Sequence, residues 1–257
     1  MIAHERFQAV IDLVAVRQKM SVHELQEALG VSPATLRRDL AELETLGKIV
    51  RVRGAVVHPG YFRGEPSFAQ KKNAATAIKR AMAREAAALV PPRSTVFVDA
   101  GTSCLEVGRL LLARRDVTIL THSLPLAMLA HEGDSGAKVI CIGGEVRAIS
   151  GATVGALALS WLEQLRADWC FVGASGLSLG EGASTTELSE AAMKQGMLRR
   201  SEHKVLLADA GKWEKPATVS FGDWPVFDLW VVGGKIEQSE LKKAEKQGPR
   251  VLRAEIK

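Results

Sequence analysis

From Thr95 to Val232, short apolar runs alternate with segments of helical pattern, and no other feature restricts the possible fold as strongly. The apolar runs span residues 95–99, 117–120, 138–142, 169–172, 204–209 and 228–232. Most of them are too continuously apolar for strands with one face in water, whereas strands of a parallel sheet are covered on both faces. The alternation therefore predicts an α/β domain with a mostly parallel sheet.

The composition fits two folded domains rather than a repeat array or a disordered chain. Of the 257 residues, 47% are hydrophobic and 25% are charged, which is ordinary for a globular protein. No run reaches the ~18 apolar residues that a membrane span requires. Cys104, Cys141 and Cys170 are widely spaced and predict neither a disulfide framework nor a zinc site. We expect a cytoplasmic protein with no metal, no cofactor and no membrane contact.

The N-terminal segment has the start and stop signals of three short helices. Apolar residues at helical spacing between Phe7 and Val14 predict the first helix. Ser21 and Glu24 form a capping box at the start of the second, and Gly30 ends it. The Ser32-Pro33 pair starts the third helix two residues later. Two helices joined by so tight a turn are typical of a helix-turn-helix.

In a helix-turn-helix, the start of the third helix enters the major groove of DNA. Alternation from Lys48 to Val57 predicts a β-hairpin wing with Gly54 at its tip. The residues expected near DNA are Ser32, Ala34, Thr35, Arg37, Arg38, Arg51 and Arg53. We expect Thr35 to read base edges, and Arg37 and Arg38 to bind guanine or phosphate.

These observations divide the chain into three parts. Residues 1–57 form an all-α winged helix-turn-helix, 58–70 a linker, and 71–257 the α/β domain, which opens with a long helix from about Lys71 to Leu89. The net charge is +5, and residues 61–84 hold six basic residues and one acidic residue. That basic stretch fits a solvated linker or a phosphate-contacting one, and the sequence leaves both open.

Glycine and polar residues follow five of the apolar runs, where ligands bind in parallel sheets. The residues expected to bind a ligand are Asp99, Gly101, Thr102, Ser103, Thr121, His122, Ser123, Gly143, Gly144, Gly173, Gly176, Asp209 and Lys212. A helix start after Gly101 and the compact charge of Lys212 both suit phosphate. The sequence lacks the glycine motifs of dinucleotide and nucleoside triphosphate sites. It therefore predicts a small, phosphorylated, polyhydroxylated ligand.

Two stretches of the chain resemble the DeoR family of bacterial transcription regulators. Val31–Leu40, with the paired arginines before Asp-Leu, resembles the family's N-terminal signature, although Arg53-Gly54-Ala55 replaces the usual His-Gly-Gly. The second half is similar to the family's sensor domain, which resembles ribose-5-phosphate isomerase. The matching segments are residues 99–102, 121–123, 142–144, 151 with 155, 168–176, 194, and 209 with 212. The resemblance implies that they line an effector pocket, and it adds Lys194 to the expected site.

The resemblance implies a DNA-binding transcriptional regulator, a repressor of sugar metabolism genes, that responds to a sugar phosphate without turning it over. Its partners would be double-stranded operator DNA, the sugar phosphate, and further copies of itself in a homodimer or homotetramer. One alternative is a sugar-phosphate isomerase carrying a DNA-binding module, with Asp99, Glu187 or Asp209 as the base. Another is an adaptor that uses its helix-turn-helix to bind protein.

Overall fold

The computed structural model describes residues 3–17, 19–52, 54–57, 65–133 and 135–256. The chain splits into two compact units, Met1–Ala74 and Ala75–Lys257, and each is described by itself. Within the described ranges, no helix combines the length and the apolarity that crossing a bilayer requires.

The first unit holds four helices and a small sheet. Its elements in chain order are α1 (Ala3–Arg17), β1 (Lys19–Ser21), α2 (Val22–Leu29), α3 (Pro33–Thr45), β2 (Val50–Val52), β3 (Ala55–Val57) and α4 (Phe68–Asn73). The predicted caps are confirmed: Ser21 and Glu24 form a reciprocal capping box before α2, and Gly30 ends that helix at φ 63°. Ser32 caps α3, and Pro33 occupies its first turn. The helix-turn-helix is present as expected.

The description of this unit as all-α is wrong in one respect, because β1 was not predicted. It pairs with β3 in an antiparallel sheet of order β1-β3-β2. The wing prediction is confirmed, since Gly54 lies in the turn between β2 and β3 at φ 72°. The buried core of the unit comprises Val10, Val14, Met20, Leu25, Leu36, Leu40, Leu43, Ile49 and Val56. It joins one face of each of the first three helices to the sheet.

The second unit is built on a seven-stranded sheet in which every pairing is parallel. Its strands are β4 (Thr95–Val98), β5 (Thr118–Thr121), β6 (Lys138–Cys141), β9 (Ala167–Gly173), β12 (Ser201–Leu207), β14 (Leu229–Gly233) and β15 (Arg250–Ala254). They lie in the order β15-β14-β12-β9-β4-β5-β6. The predicted parallel α/β fold is confirmed, and all seven carboxyl ends share one edge.

Helices and short strands complete this unit. The helices are α5 (Thr76–Ala88), α6 (Thr102–Leu112), α7 (Leu124–Glu132), α8 (Ala156–Glu163), α9 (Leu188–Arg199) and α10 (Gln238–Glu245). Two small antiparallel sheets were not predicted, and their strands are β7 (Glu145–Arg147), β8 (Ala152–Val154), β10 (Gly176–Ser178), β11 (Gly182–Thr185) and β13 (Val219–Gly222). The core covers the sheet with apolar side chains such as Phe97, Val172, Leu206 and Trp230.

The predicted long helix from about Lys71 to Leu89 is wrong. The segment forms two helices, α4 and α5, and Ala75 between them adopts a left-handed conformation at φ 52°. A left-handed residue cannot continue a right-handed helix, so the helix breaks there. Of the predicted linker 58–70, residues 58–64 lie outside the described ranges, and 65–70 lead into and begin α4.

Candidate effector site and DNA-binding surface

Asp99, directly after β4, is the centre of a buried polar cluster at the carboxyl edge of the sheet. Its side chain is 1% exposed and lies 2.6 Å from the Lys194 ammonium on α9. The backbone N–H of Gly173, at the end of β9, donates to the same Oδ2 atom at 3.0 Å. The other oxygen, Oδ1, lies 3.1 Å from Nε2 of His122, which follows β5. Three strand ends and one helix are thus tied to a single carboxylate.

Opposing effects set the pKa values of this pair. Burial alone would raise the pKa of Asp99, but the Lys194 charge and the His122 hydrogen bond outweigh it and hold the pKa below its ordinary value. Burial likewise favours a lower pKa for Lys194, whereas Asp99 and Glu190 favour a higher one, and the pKa lies above its ordinary value. Asp99 and Lys194 are therefore both charged at neutral pH.

The His122 ring has a defined orientation within this cluster. Its Nδ1 atom lies 2.9 Å from the carbonyl oxygen of Thr153 in β8. Because a carbonyl oxygen only accepts hydrogen bonds, Nδ1 carries a proton. Its Nε2 atom faces both Oδ1 of Asp99, at 3.1 Å, and the backbone N–H of Ala100, at 3.2 Å; it donates to the carboxylate when protonated and accepts from the N–H when not, so only one of the two hydrogen bonds forms at a time. His122 has no exposed surface, so it holds Asp99 and β8 in place from within the protein.

Like His122, Thr121 and Ser123 are buried and hold neighbouring elements together. Neither has exposed surface. The Thr121 hydroxyl donates to the carbonyl of Val98 at 2.6 Å and accepts from the N–H of Ser123 at 3.1 Å. The Ser123 hydroxyl accepts from the N–H of Leu126 and so caps α7. These two predicted ligand contacts thus connect β4, β5 and α7.

The first turn of α6 begins at the same edge. Gly101 is its N-cap residue and supplies no capping side chain, so the early N–H groups of the helix depend on other partners. A Cβ atom at Gly101 would lie 3.1 Å from Oδ2 of Asp99, which leaves little room for a larger residue. Thr102 and Ser103 open the helix and are buried. Such a helix start is a natural site for an anion.

Asp209 and Lys212 lie at the end of β12. Oδ1 of Asp209 accepts from the N–H of Gly211 at 3.0 Å and shapes the turn that carries Lys212. The Lys212 ammonium donates to the carbonyl of Ala174, just after β9. Gly143 and Gly144 lie at the far side, after β6. Between β12 and β6 there are four strand spacings, about 19 Å in all, so one small ligand cannot touch every predicted residue.

Sequence reasoning missed Arg147 and Glu190. The Arg147 guanidinium lies 2.9 Å from a carboxylate oxygen of Glu190 and 3.9 Å from Glu187. Glu190 is one turn before Lys194 on α9, and this spacing of charges was the available signal, since it places them on one helix face. Among the described residues, the Thr186 hydroxyl is a buried polar atom without a hydrogen-bond partner.

Two of the predicted glycines have different surroundings. A Cβ atom at Gly176 would lie 2.0 Å from the carbonyl oxygen of Lys215, whereas one at Gly143 would meet nothing within 4 Å. Gly176→Ala should therefore destabilise the second unit by about 1–3 kcal/mol through overpacking, and Gly143→Ala should change stability by less than about 0.5 kcal/mol. Urea unfolding of the full chain measures both. Equal stability of the two variants would contradict the packing described for Gly176.

On the first unit, the expected DNA contacts share the exposed side of α3. Arg37 and Arg38 are exposed, as are Ser32 and Ala34, and Thr35 is half-buried. The hydroxyls of Ser32 and Thr35 lie 2.8 Å apart. Arg51, in the wing, lies 3.8 Å from Glu44. Arg53 lies outside the described residues.

A buried contact that the sequence did not predict orients α3. Arg6 on α1 donates to both carboxylate oxygens of Asp39, at 2.7 and 3.1 Å. Asp39 is 6% exposed and follows the paired arginines directly. A buried carboxylate needs such a partner. The planar, bidentate contact resists rotation of α3 on α1, and so it holds Arg37 and Arg38 on the outer face.

Comparison with known families covers both units. Residues 6–59 match the DeoR-like helix-turn-helix domain, and residues 74–234 match the DeoR C-terminal sensor domain. The chain belongs to the DeoR family. The HTH-type transcriptional regulator GlpR of Haloferax volcanii is 34% identical to it over 98% of each chain.

A second named relative agrees with this membership. The glycerol-3-phosphate regulon repressor of Escherichia coli K12 is 30% identical over 87% of this chain and 88% of its own. A solved ribose 5-phosphate isomerase A from Methanocaldococcus jannaschii is 18% identical, with a TM-score of 0.41 over 55% of each chain. The predicted family is confirmed. The protein is a DeoR-family transcriptional regulator with a DNA-binding domain and a sensor domain.

Proposed function

We propose that this DeoR-family regulator represses sugar metabolism genes, and that a phosphorylated sugar at the carboxyl edge of its sheet controls its affinity for operator DNA. What supports this most is the cluster around Asp99. It ties the ends of β4, β5 and β9 to α9. Next to that rigid cluster lie the start of α6 and Lys212.

The groups around the cluster suit a phosphate and hydroxyl groups. The first turn of α6 presents backbone N–H groups and the positive end of a helix dipole, both favourable to an anion. Lys212 adds a compact positive charge. The partnerless hydroxyl of Thr186 and the Arg147–Glu190 pair offer hydrogen bonds to a polyol. A relative named for the glycerol-3-phosphate regulon fits a ligand of this class.

The same cluster favours sensing over catalysis. A general base for isomerisation works best when its pKa lies near the operating pH. The pKa of Asp99 lies below its ordinary value, its Oδ2 atom accepts from Gly173 and pairs with Lys194, and its Oδ1 atom faces Nε2 of His122. Asp209 is engaged in its own turn. We infer that the domain binds its ligand and returns it unchanged.

Thermal unfolding of the full chain tests the ligand. We expect one of a panel of sugar and polyol phosphates, at 100 times its dissociation constant, to stabilise the protein by about 2.7 kcal/mol. For a domain of this size that corresponds to a shift of about 5–10 °C. The unphosphorylated parent compounds should give no shift.

A matched pair of lysine variants locates the site. Lys212→Ala should abolish the shift, whereas Lys242→Ala, which removes an exposed charge on α10, should leave it intact. No shift with any phosphate in the panel would contradict the proposed ligand class. Conversion of an aldose phosphate to a ketose phosphate by the purified protein would contradict sensing without turnover.

A further inference from the structure

Helices α5 and α6 pack against each other and leave a groove of about 280 Å³ on their outer side. We call it the α5–α6 groove. Its lining residues are Arg80, Ala83 and Arg84 from α5, and Glu106, Arg109 and Leu110 from α6. None of them belongs to the candidate effector site. Pockets for drug-sized ligands span about 300–1,000 Å³, so the groove suits one small group rather than a whole cofactor.

Three guanidinium groups share this groove with one carboxylate. Nε of Arg80 lies 3.7 Å from Glu106, and Nε of Arg109 lies 3.5 Å from it. Both distances exceed those of N–H···O hydrogen bonds, about 2.7–3.2 Å. The Glu106 side chain is 13% exposed, whereas that of Arg80 is 65% exposed and that of Arg109 is 39% exposed. The carboxylate therefore lies at the base of the groove, and the two arginines reach outward from it.

Arg84 is the third arginine, and its charge is uncompensated. It is exposed and lies one turn after Arg80 on the same side of α5. In the part of the chain that the structure describes, it has no ion-pair partner. Like charges one turn apart on a helix repel each other, so an anion bound beside Arg80 and Arg84 would relieve that repulsion.

The groove also bears on the basic stretch between residues 61 and 84. Lys71 in that stretch pairs with Glu65 at 3.1 Å, and Lys79 is buried. Arg80 and Arg84 are exposed, and Arg109 from a distant part of the sequence joins them in the groove. Of the two interpretations that the sequence left open, a phosphate-contacting stretch is the one that these two arginines favour.

We propose that the α5–α6 groove is a second phosphate-binding site, separate from the effector site. Arginine forks bind phosphate oxygens in pairs. Three arginines and one glutamate leave an excess charge of +2, and a phosphate monoester carries about −1.5 to −2 at pH 7 with three acceptor oxygens. Leu110, which is 42% exposed, offers apolar contact to the carbon atoms of the ligand. The phosphate can belong to a free phosphorylated molecule or to the DNA backbone, and the test separates these sources.

Calorimetric titration of the full chain with inorganic pyrophosphate tests the free source. The measurement uses Lys212→Ala as the parent, so that the lysine of the effector site does not contribute. In that parent, Arg84→Gln should raise the dissociation constant about 10-fold, the effect of losing one charge-assisted hydrogen bond. The triple variant Arg80→Gln, Arg84→Gln and Arg109→Gln should abolish the binding.

Fluorescence anisotropy with a duplex that extends beyond the selected operator tests the DNA source. The slope of log affinity against log salt should fall by about one for each phosphate contact that the triple variant loses. The preference for the operator over random duplexes should not change, because phosphate contacts are not specific for sequence.

Glu106→Gln separates the site from a folding defect, because it should strengthen binding. It removes the one negative charge of the groove and retains all three arginines, so the affinity for the phosphate source should rise about 5-fold, the effect of removing a like charge about 4 Å away in water. The matched control is Glu245→Gln, which makes the same charge change at an exposed position of α10 and should have no effect.

A response of pyrophosphate binding, of DNA binding or of both supports the site and identifies its source. The proposal is overturned if the triple variant binds both probes as its parent does. It is also overturned if Glu106→Gln and Glu245→Gln respond alike, since net charge alone would then explain the effect. Equally tight binding of a hexaglutamate peptide would overturn it too, because carboxylates would then satisfy the groove as well as phosphate does.

Discussion

Lys194→Met is expected to destabilise the second unit by about 3–5 kcal/mol. Methionine preserves the length and apolar stem of lysine but removes the ammonium 2.6 Å from Asp99. The carboxylate then remains buried without a compensating charge, which is costly. All five tryptophans lie between residues 161 and 230, so their fluorescence during urea unfolding follows this unit alone.

The double variant Asp99→Asn with Lys194→Met is the control. It removes both charges and leaves groups of similar shape, so much of the lost stability should return, because replacing a whole buried pair is often close to neutral. If the single and the double variant were equally destabilised, the ion pair would not be the origin of the effect.

The same pair predicts a pH dependence with a definite sign. The folded pKa of Asp99 is below its unfolded value, so its contribution to stability is complete above about pH 4 and is lost as the pH falls further. The folded pKa of Lys194 is above its unfolded value, so its contribution is complete below about pH 10 and is lost as the pH rises. The double variant lacks both groups, so its stability should fall less than that of the wild type at both pH extremes, as measured by urea unfolding across pH.

Alanine at Arg37 or Arg38 is expected to weaken operator binding by about 1–3 kcal/mol, or about 5- to 150-fold. Both arginines are exposed on α3, whose orientation is held by Arg6 and Asp39. An arginine that binds guanine confers specificity at one base pair. Loss of an arginine that binds phosphate should instead weaken binding to all DNA sequences alike and reduce the salt dependence of that binding. Fluorescence anisotropy with an operator selected from random duplexes measures each case.

Arg115→Ala is the matched control, because Arg115 is an exposed arginine on the second unit. It should bind DNA as the wild type does. Equal losses for Arg115→Ala and the two α3 variants would contradict the assignment of α3 as the recognition helix.

The strands and caps were predictable because each depends on residues close in sequence. The continuous apolar runs predicted six of the seven strands of the parallel sheet. The capping signals at Ser21, Gly30 and Ser32 act on residues no more than four positions away. The short strands β7, β8, β10, β11 and β13 were missed, because three or four residues are too few to show a distinctive alternation.

Other features depend on partners far apart in the chain. Asp99 and Lys194 are separated by 95 positions, and Arg6 and Asp39 by 33. Residue type showed that Asp99 was polar and at a strand end, but not that its two oxygens would bind Lys194 and His122. The break at Ala75 gave no signal either, since an alanine-rich segment without glycine or proline favours one continuous helix.

Burial changed the interpretation of several predicted site residues. Thr121, His122 and Ser123 are polar residues at a strand end and were expected to contact the ligand. Their side chains have no exposed surface and bond to neighbouring strands and helices. A sequence shows which residues reach the edge of a sheet, but the packing of the loops decides which of them face outward.

The most direct test of the account is the affinity for the selected operator with and without the sugar phosphate that stabilises the protein. Coupling between two sites is reciprocal and typically amounts to a factor of 5–150. We predict that the phosphate weakens DNA binding by a factor in this range, and that Lys212→Ala binds the operator normally but no longer responds. An operator affinity that is the same at zero and saturating phosphate would contradict the claim that this sensor domain controls DNA binding.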